Sequence, residues 1–270
     1  MPPSVAPLPR LHVVRAGQGA PVVLVHGSAT DHLTWSIQLA SPLTQQHRLI
    51  ACDRRGSGLS AAAATDAAPS IEQHAADLAE LVVAEGAPVV AVGSSFGAVV
   101  VLELARRFPA WLRGAVLCEP PLPHVDDADE APAPTAAFVA ELDRIAAADG
   151  ADAAAERFLR AVLGDAAYER MPRRFQERSK ATWPAIRADC AALAAYRPRY
   201  AQLAGVRIPV LLLGGERSAP YFRPTLDALA AALGQARLEM LPGAGHMMHA
   251  EAARRFNERL ATFCTEVGHG

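Results

Sequence analysis

The segment from residue 89 to residue 107 contains the pattern that most constrains how this chain can fold. Residues 89–93 form an uninterrupted apolar run that predicts a buried β-strand, and residues 96–107 have the length and composition of a helix. Between them, Gly-Ser-Ser-Phe-Gly at 93–97 places Ser95 at the centre of a G-x-S-x-G sequence. Small neighbours of this kind are typical of a strained strand-to-helix turn. The Ser95 hydroxyl is therefore expected at a helix N-terminus, where free amides favour a developing oxyanion.

Strand and helix patterns alternate on both sides of this turn. The predicted strands fall at 11–15, 22–26, 48–52, 89–93, 114–118, 210–213 and 236–241, and the predicted helices at 71–85, 96–107, 224–233 and 251–266. The run at 22–25 is apolar without alternation, as expected of a strand buried on both faces. This alternation predicts an α/β fold with a mostly parallel central sheet flanked by helices. Ligands of such sheets bind at the carboxyl ends of the strands.

Residues 121–205 differ from the rest of the chain in their sequence pattern. They begin with an acidic, proline-rich stretch at 126–132 and continue with helical patterns near 135–148, 151–163, 168–180 and 184–195, without a strand signal. We therefore predict a core formed by 1–120 and 206–270, with a helical cap (lid) formed by 121–205. The cap is expected to lie over the carboxyl edge of the sheet.

A serine nucleophile needs a base, and a histidine late in the chain fits this need. His246 follows the last predicted strand in the sequence Leu-Pro-Gly-Ala-Gly-His, whose glycines permit a loop over the sheet edge. His249 is a rival, but it begins a helix and lacks this approach. His26-Gly27-Ser28 ends another parallel strand, so the backbone amides of Ser28 and Phe96 are predicted to form an oxyanion hole. His26 itself is expected to be structural.

Four segments together resemble the α/β-hydrolase-fold serine enzymes. They are the His-Gly-Ser loop at 26–28, Asp-Arg-Arg-Gly-Ser-Gly-Leu-Ser at 53–60, the turn at 93–97 and Gly-Ala-Gly-His at 243–246. The resemblance covers nearly the whole chain outside 121–205. It implies an esterase or lactonase in which Ser95 attacks a carbonyl, His246 transfers the proton and an acyl-enzyme forms, with no cofactor or metal. Asp53 and Arg54 are expected to hydrogen-bond neighbouring loops.

The third member of the triad departs from the family's usual pattern. The resemblance places an Asp a few residues beyond strand 210–213, but Ser218 stands there. Glu216 lies on the same loop, two residues early. Glu119 follows strand 114–118, where some haloalkane dehalogenases and zearalenone-type lactonases carry a Glu. A carboxylate at the end of an apolar strand requires a partner; we expect that partner to be His246, with a cap arginine as the non-catalytic alternative.

The two prolines that follow Glu119 are expected to keep its backbone extended. Trp35 and Trp183 are predicted to line the substrate pocket, although ordinary packing explains large aromatic residues equally well. Cys52 and Cys118 lie in apolar runs and are expected to be small core residues with free thiols.

Composition narrows the possible partners. A chain of 270 residues with 51% hydrophobic residues and a net charge of −2 lacks the clustered positive charge of nucleic-acid binding. No signal peptide or membrane-spanning run is evident, which favours a cytoplasmic location.

The expected partner is a small ester or lactone; the oligomeric state is not indicated. An acyltransferase, a cofactor-free rearrangement enzyme and a ligand-binding receptor remain alternatives on the same fold, and release of alcohol and acid from a generic ester separates them from a hydrolase.

Overall fold

A seven-stranded sheet organises the chain, for which a computed structural model describes residues 11–63, 68–122, 133–197 and 200–268. The strands are β1 (Val13–Ala16), β2 (Ala20–Val25), β3 (His47–Cys52), β4 (Val89–Ser94), β5 (Leu112–Cys118), β6 (Val210–Gly215) and β7 (Ala236–Leu241). Their order across the sheet is β1-β3-β2-β4-β5-β6-β7. β1 pairs antiparallel with β3, and every other pairing is parallel. The predicted α/β fold with a mostly parallel sheet is confirmed.

The strand sequences explain why the sheet is covered on both faces. In β2, Val23 and Val25 belong to one apolar cluster, whereas Val22 and Leu24 belong to another on the opposite face. Successive side chains of a strand point to opposite faces, so an unbroken apolar run needs two apolar coverings. Cys52 and Cys118 lie in these two clusters as buried free thiols, as predicted.

Helices between and after the strands supply the two coverings. They are α1 (Ser36–Leu39), α2 (Ile71–Ala84), α3 (Phe96–Arg107), α10 (Phe222–Ala232), α11 (Met248–Glu251) and α12 (Ala253–Gly268). α2 begins with a capping box in which Ser70 and Gln73 exchange side-chain-to-backbone hydrogen bonds, which satisfies amides that a helix start leaves free. α3 has the predicted bounds, and the helix predicted for 251–266 is α12, shifted by two residues at each end and preceded by the short helix α11.

Between β5 and β6 the described residues form helices and their connecting loops, without a strand. These are α4 (Ala133–Asp149), α5 (Ala151–Leu163), α6 (Asp165–Arg170), α7 (Arg173–Lys180), α8 (Trp183–Ala195) and α9 (Tyr200–Leu203). The helix predicted over 168–180 is two helices, because Pro172 cannot supply an amide hydrogen to continue the first. The acidic stretch at 126–132 lies outside the described residues. None of the described helices has the length and apolar composition that crossing a bilayer requires.

The inserted helices have an apolar cluster of their own. Leu142, Phe158 and Ile186 are buried in it, and Ala29 from the loop after β2 joins them. Tyr196 and Leu203, in contrast, pack into the cluster of the main sheet. The insertion is therefore attached to the core at its C-terminal end, and its division from the core at residues 121 and 205 stays a prediction.

Candidate active site

Ser95 occupies a strained turn between β4 and α3. Its backbone has φ 53° and ψ −122°, a conformation that a non-glycine residue rarely adopts and that concentrates at functional sites. A Cβ at Gly93 would lie 2.3 Å from the Gly97 carbonyl oxygen, and one at Gly97 would lie 2.4 Å from that of Val25. Both glycines are thus required by close backbone approach. The Ser95 amide donates to the Cys118 carbonyl at 2.8 Å, which fixes the turn against β5.

His246 lies in the loop after β7 and is held by Glu119. The imidazole Nδ1 is 2.6 Å from Glu119 Oε2, and the second carboxylate oxygen accepts a hydrogen bond from the Gly215 amide at 2.6 Å. Both side chains are buried. Since Nδ1 donates to the carboxylate, Nε2 carries the free lone pair that a general base uses. The Ser95 hydroxyl makes no hydrogen bond to His246 in this structure; such bonds often tighten only when substrate binds.

The backbone of Glu119 differs from the sequence-based expectation. Instead of the extended conformation expected before two prolines, its φ is +45°, in the left-handed region. Its amide donates to the Leu213 carbonyl of β6 at 3.1 Å. This sharp turn at the end of β5 directs the side chain back along the sheet edge, whereas an extended chain would carry it onward toward the cap.

The other candidate acid makes a different contact. Glu216 is exposed, and its Oε2 accepts a hydrogen bond from the Gly243 amide at 2.7 Å. It therefore braces the loop that carries His246 and does not touch the imidazole. Ser218, at the position where the family pattern places an Asp, has a buried hydroxyl without a hydrogen-bond partner among the described residues.

Ser28 and Phe96, whose amides are assigned to an oxyanion hole from the sequence, lie near Ser95: Ser28 lines the same cavity as Ser95, and Phe96 follows Ser95 in the chain. A Cβ at Gly27 would lie 3.0 Å from the Ser95 Cβ, so the loop after β2 lies directly against the turn. Phe96 is the first residue of α3, where backbone amides have no partner within the helix. The oxyanion hole stays a prediction, in which both amides would donate to the carbonyl oxygen of a substrate attacked by Ser95.

The two other histidines considered as catalytic candidates, His26 and His249, are buried. His26 Nδ1 lies 2.7 Å from the Gly27 carbonyl oxygen, while Nε2 accepts from the Arg54 amide at 3.0 Å. Burial, together with the Arg54 charge, lowers the pKa of His26 well below its usual value. His249 contacts Thr34 Oγ1 at 2.9 Å, and burial lowers its pKa to about 3. A group so reluctant to accept a proton is a poor base at neutral pH.

A largely apolar cavity of about 610 Å³ extends from Ser28 and Ser95 toward the inserted helices. Its apolar lining comes from the segment after β5, α4, α5, α8 and α10, and includes Leu122, Phe138, Phe158, Val162, Leu193 and Phe222. Cavities of this size accommodate small organic ligands.

Neither tryptophan predicted to line the pocket does so. Trp35 is fully buried in the apolar cluster that contains Val22 and Leu24, with ring-centroid distances of 4.7 Å to His249 and 6.1 Å to Phe256. Trp183 packs against the apolar cluster of the inserted helices. The expectation is corrected for both residues, because burying a large aromatic surface in a core is favoured over exposing it in a cavity.

Comparison with known proteins decides the family. Residues 22–259 match the sequence profile described as alpha/beta hydrolase family. The chain belongs to the alpha/beta hydrolase family. No curated protein sequence matches the chain at a significant level.

Solved structures of alpha/beta hydrolases superpose on most of the chain. A thermophilic esterase from Thermogutta terrifontis is 25% identical, with a TM-score of 0.80 over 95% of this chain and 93% of that one. The enol-lactonase from Burkholderia xenovorans LB400 is 23% identical, with a TM-score of 0.78 over 94% and 96%. MenH from S. aureus is 16% identical, with a TM-score of 0.82 over 96% and 99%.

Phe222 was missed by the sequence reasoning for this alpha/beta hydrolase. Its ring is stacked on that of His246, with centroids 4.5 Å apart and planes inclined by 12°. The residue is buried at the start of α10. Its sequence context, an aromatic pair before a helix, is indistinguishable from a core position, so only the tertiary structure reveals the contact.

Proposed function

We propose that this protein is a serine hydrolase that cleaves a carboxylic ester or lactone through an acyl-enzyme intermediate. The observation that carries this proposal is the 2.6 Å contact between His246 Nδ1 and Glu119 Oε2. It lies at the same sheet edge as the strained Ser95 turn. A carboxylate that orients an imidazole at the sheet edge that also carries a reactive serine is the arrangement that serine acyl transfer requires.

The reaction begins with attack of Ser95 Oγ on the substrate carbonyl carbon. His246 Nε2 takes the hydroxyl proton as the new C–O bond forms, and the carbonyl π electrons move to oxygen. The amides of Ser28 and Phe96 donate to that oxyanion. Collapse of the adduct breaks the bond to the alcohol oxygen, which leaves with the proton from His246. Water then repeats the same sequence on the acyl-enzyme and releases the acid.

Glu119 has two roles in this scheme. Its carboxylate fixes the tautomer with hydrogen on Nδ1, and its negative charge offsets the imidazolium that forms during attack. The Gly215 amide, at 2.6 Å from the other oxygen, holds the carboxylate in the plane needed for both. Hydrogen bonds to both oxygens also offset part of the cost of burying this charge.

The cavity supports an apolar group on the substrate. Phe138, Phe158 and Leu193 line it, and Arg157, the one charged residue in the lining among those that the structure describes, donates to Glu141 at 2.7 Å. The fold shared with an esterase and an enol-lactonase agrees with the same reaction class. In a lactone the leaving alcohol stays tethered to the acyl group, so the product would be a hydroxy acid.

Two assays on the purified chain test the proposal. A fluorophosphonate should label Ser95, and p-nitrophenyl esters or lactones should release acid and alcohol. Ser95→Ala should abolish both by several orders of magnitude, whereas Ser94→Ala, one residue earlier on β4, should retain activity. Labelling without hydrolysis of any ester or lactone would contradict hydrolysis and favour acyl transfer or ligand binding. An active Ser95→Ala would contradict the assigned nucleophile.

A further inference from the structure

A buried ion pair joins the inserted helices to the loop that flanks Ser95. Arg54, after β3, donates from Nη1 to Asp189 Oδ1 at 2.9 Å and from Nη2 to Asp189 Oδ2 at 2.7 Å. Asp189 lies on α8, and the two side chains are 2% and 5% exposed. Burying two opposite charges costs free energy unless their remaining hydrogen-bonding atoms are also satisfied. The other contacts of this pair therefore show what it organises.

The rest of the Arg54 guanidinium binds the loop after β2. Its Nε donates to the His26 carbonyl at 3.1 Å, and Nη2 also donates to the Gly27 carbonyl at 3.2 Å. Its planar face lies 4.3 Å from the centroid of the Phe96 ring. Arg54 thus contacts the chain immediately before Ser28 and the side chain of Phe96, the two residues whose amides are assigned to the oxyanion hole.

Asp189 contacts the same loop directly. The Ser28 hydroxyl donates to Asp189 Oδ2 at 2.7 Å. This carboxylate oxygen therefore accepts hydrogen bonds from both Ser28 and Arg54. Ser28 therefore has its amide beside Ser95 and its side chain attached to α8. The neighbouring residue Cys190 and Leu193, one turn further along α8, line the cavity, so the helix that carries Asp189 also forms a wall of the substrate site.

We propose that Asp189 is a positioning residue that couples the seating of α8 to the geometry of the oxyanion hole. With α8 in place, the carboxylate fixes the Ser28 side chain and the Arg54 guanidinium, and these hold both oxyanion donors at their distance from Ser95. When α8 moves away, the loop at 26–28 loses the hydrogen bond from Ser28 to Asp189. Arg54, which makes two further hydrogen bonds to this loop, loses the carboxylate that fixes its guanidinium, and the donors lose their alignment. This inference rests on the proposed function, since it concerns the same oxyanion.

The inserted helices contain a matched control pair. Arg187, on the same helix α8, donates to Asp143 on α4 from Nε and Nη2, but both side chains are substantially exposed. Asp143→Asn thus removes a carboxylate of the insertion that does not touch the oxyanion loop. Exposed pairs of this kind contribute little to stability, so activity should be unchanged.

The test compares Asp189→Asn, Ser28→Ala and Asp143→Asn on one p-nitrophenyl ester, with rates normalised to sites titrated by a fluorophosphonate. Displacing an oxyanion donor is expected to lower kcat by about 10²-fold in Asp189→Asn, with KM changed less than about threefold. Ser28→Ala leaves the ion pair intact and should lower kcat by about tenfold. The affinity of an alkyl boronic acid, which forms a tetrahedral adduct on Ser95, should fall in parallel with kcat/KM.

A purely structural role gives different results. Asp189→Asn would then lower the melting temperature and the number of titrated sites, while kcat per site and boronic acid affinity would match the unmodified protein; that result overturns the inference and leaves the proposed hydrolysis standing. Absence of hydrolysis in the unmodified protein would instead contradict the proposed function. Crystal structures then decide the inference separately: a loop at 26–28 that is unshifted in Asp189→Asn overturns it.

Discussion

Glu119 and His246 form a buried hydrogen-bonded pair although they are 127 positions apart in the chain. The pair exists because β5 and β7 lie on either side of β6, so their carboxyl ends reach the same edge of the sheet. The left-handed backbone conformation of Glu119 directs its carboxylate along that edge. The glycine-containing loop after β7 places the imidazole of His246 in contact with this carboxylate. The geometry leads to predictions about catalysis, specificity and stability.

Glu119→Gln should lower kcat on an ester by a factor of about 10³ or more. The amide keeps the size of the carboxylate but cannot offset the imidazolium, and it stabilises the wrong tautomer. Glu216→Gln is the matched control, because Glu216 contacts the Gly243 amide and not the imidazole. Steady-state kinetics of both variants would decide between them: a severe loss in Glu216→Gln beside an active Glu119→Gln would move the acid to the later loop.

Phe222→Leu should lower kcat by about 2- to 30-fold, with a smaller change in KM. The aromatic face stacked 4.5 Å from the imidazole stabilises the cationic ring by about 0.5–2 kcal/mol, and this contribution exists only when His246 is charged. Tyr221→Leu is the control, since its ring packs against that of Phe222, with centroids 4.3 Å apart and planes inclined by 38°, and not against His246. Equal kcat losses in the two variants would argue against a specific contribution from Phe222.

Ala161→Trp should shift the substrate preference toward short acyl chains. Ala161 lines the cavity from α5, and a bulky side chain there removes space for an apolar group. The ratio of kcat/KM for an octanoyl ester to that for an acetyl ester should fall by at least about tenfold, because one methylene in such a pocket is worth about 1–3 kcal/mol. Ala166→Trp, at an exposed position on α6, should leave the ratio unchanged. An unchanged ratio in Ala161→Trp would show that the acyl chain binds elsewhere.

His249 should make the protein less stable as the pH falls below about 6.5. Burial lowers its pKa in the folded state to about 3, so between these values the unfolded chain binds a proton that the folded chain excludes. The free energy of unfolding then decreases by up to about 1.4 kcal/mol per pH unit from this residue. The free energy of unfolding of His249→Gln, measured by urea denaturation at several pH values near 5, should therefore fall less steeply with decreasing pH, by this amount per pH unit. Identical slopes for the two proteins would rule out this proton linkage.

The sequence by itself determined the features whose causes are local. The apolar runs, the helical periodicities and the glycines around Ser95 act within a few residues, because strand burial and backbone strain depend on immediate neighbours. For this reason the α/β fold, the bounds of α3 and the position of the strained turn were all predictable. The break between α6 and α7 was also predictable in principle, because Pro172 lies within the segment assigned to one helix.

Only the tertiary structure decided which distant side chains meet. It brought Glu119 rather than Glu216 to His246, placed Trp35 in the core, and stacked Phe222 on the imidazole. The Arg54–Asp189 pair, 135 positions apart, is of the same kind. Such contacts depend on how strands are ordered in the sheet and on how inserted helices pack upon it. Hydrophobic burial determines that packing collectively, and no short stretch of sequence specifies it.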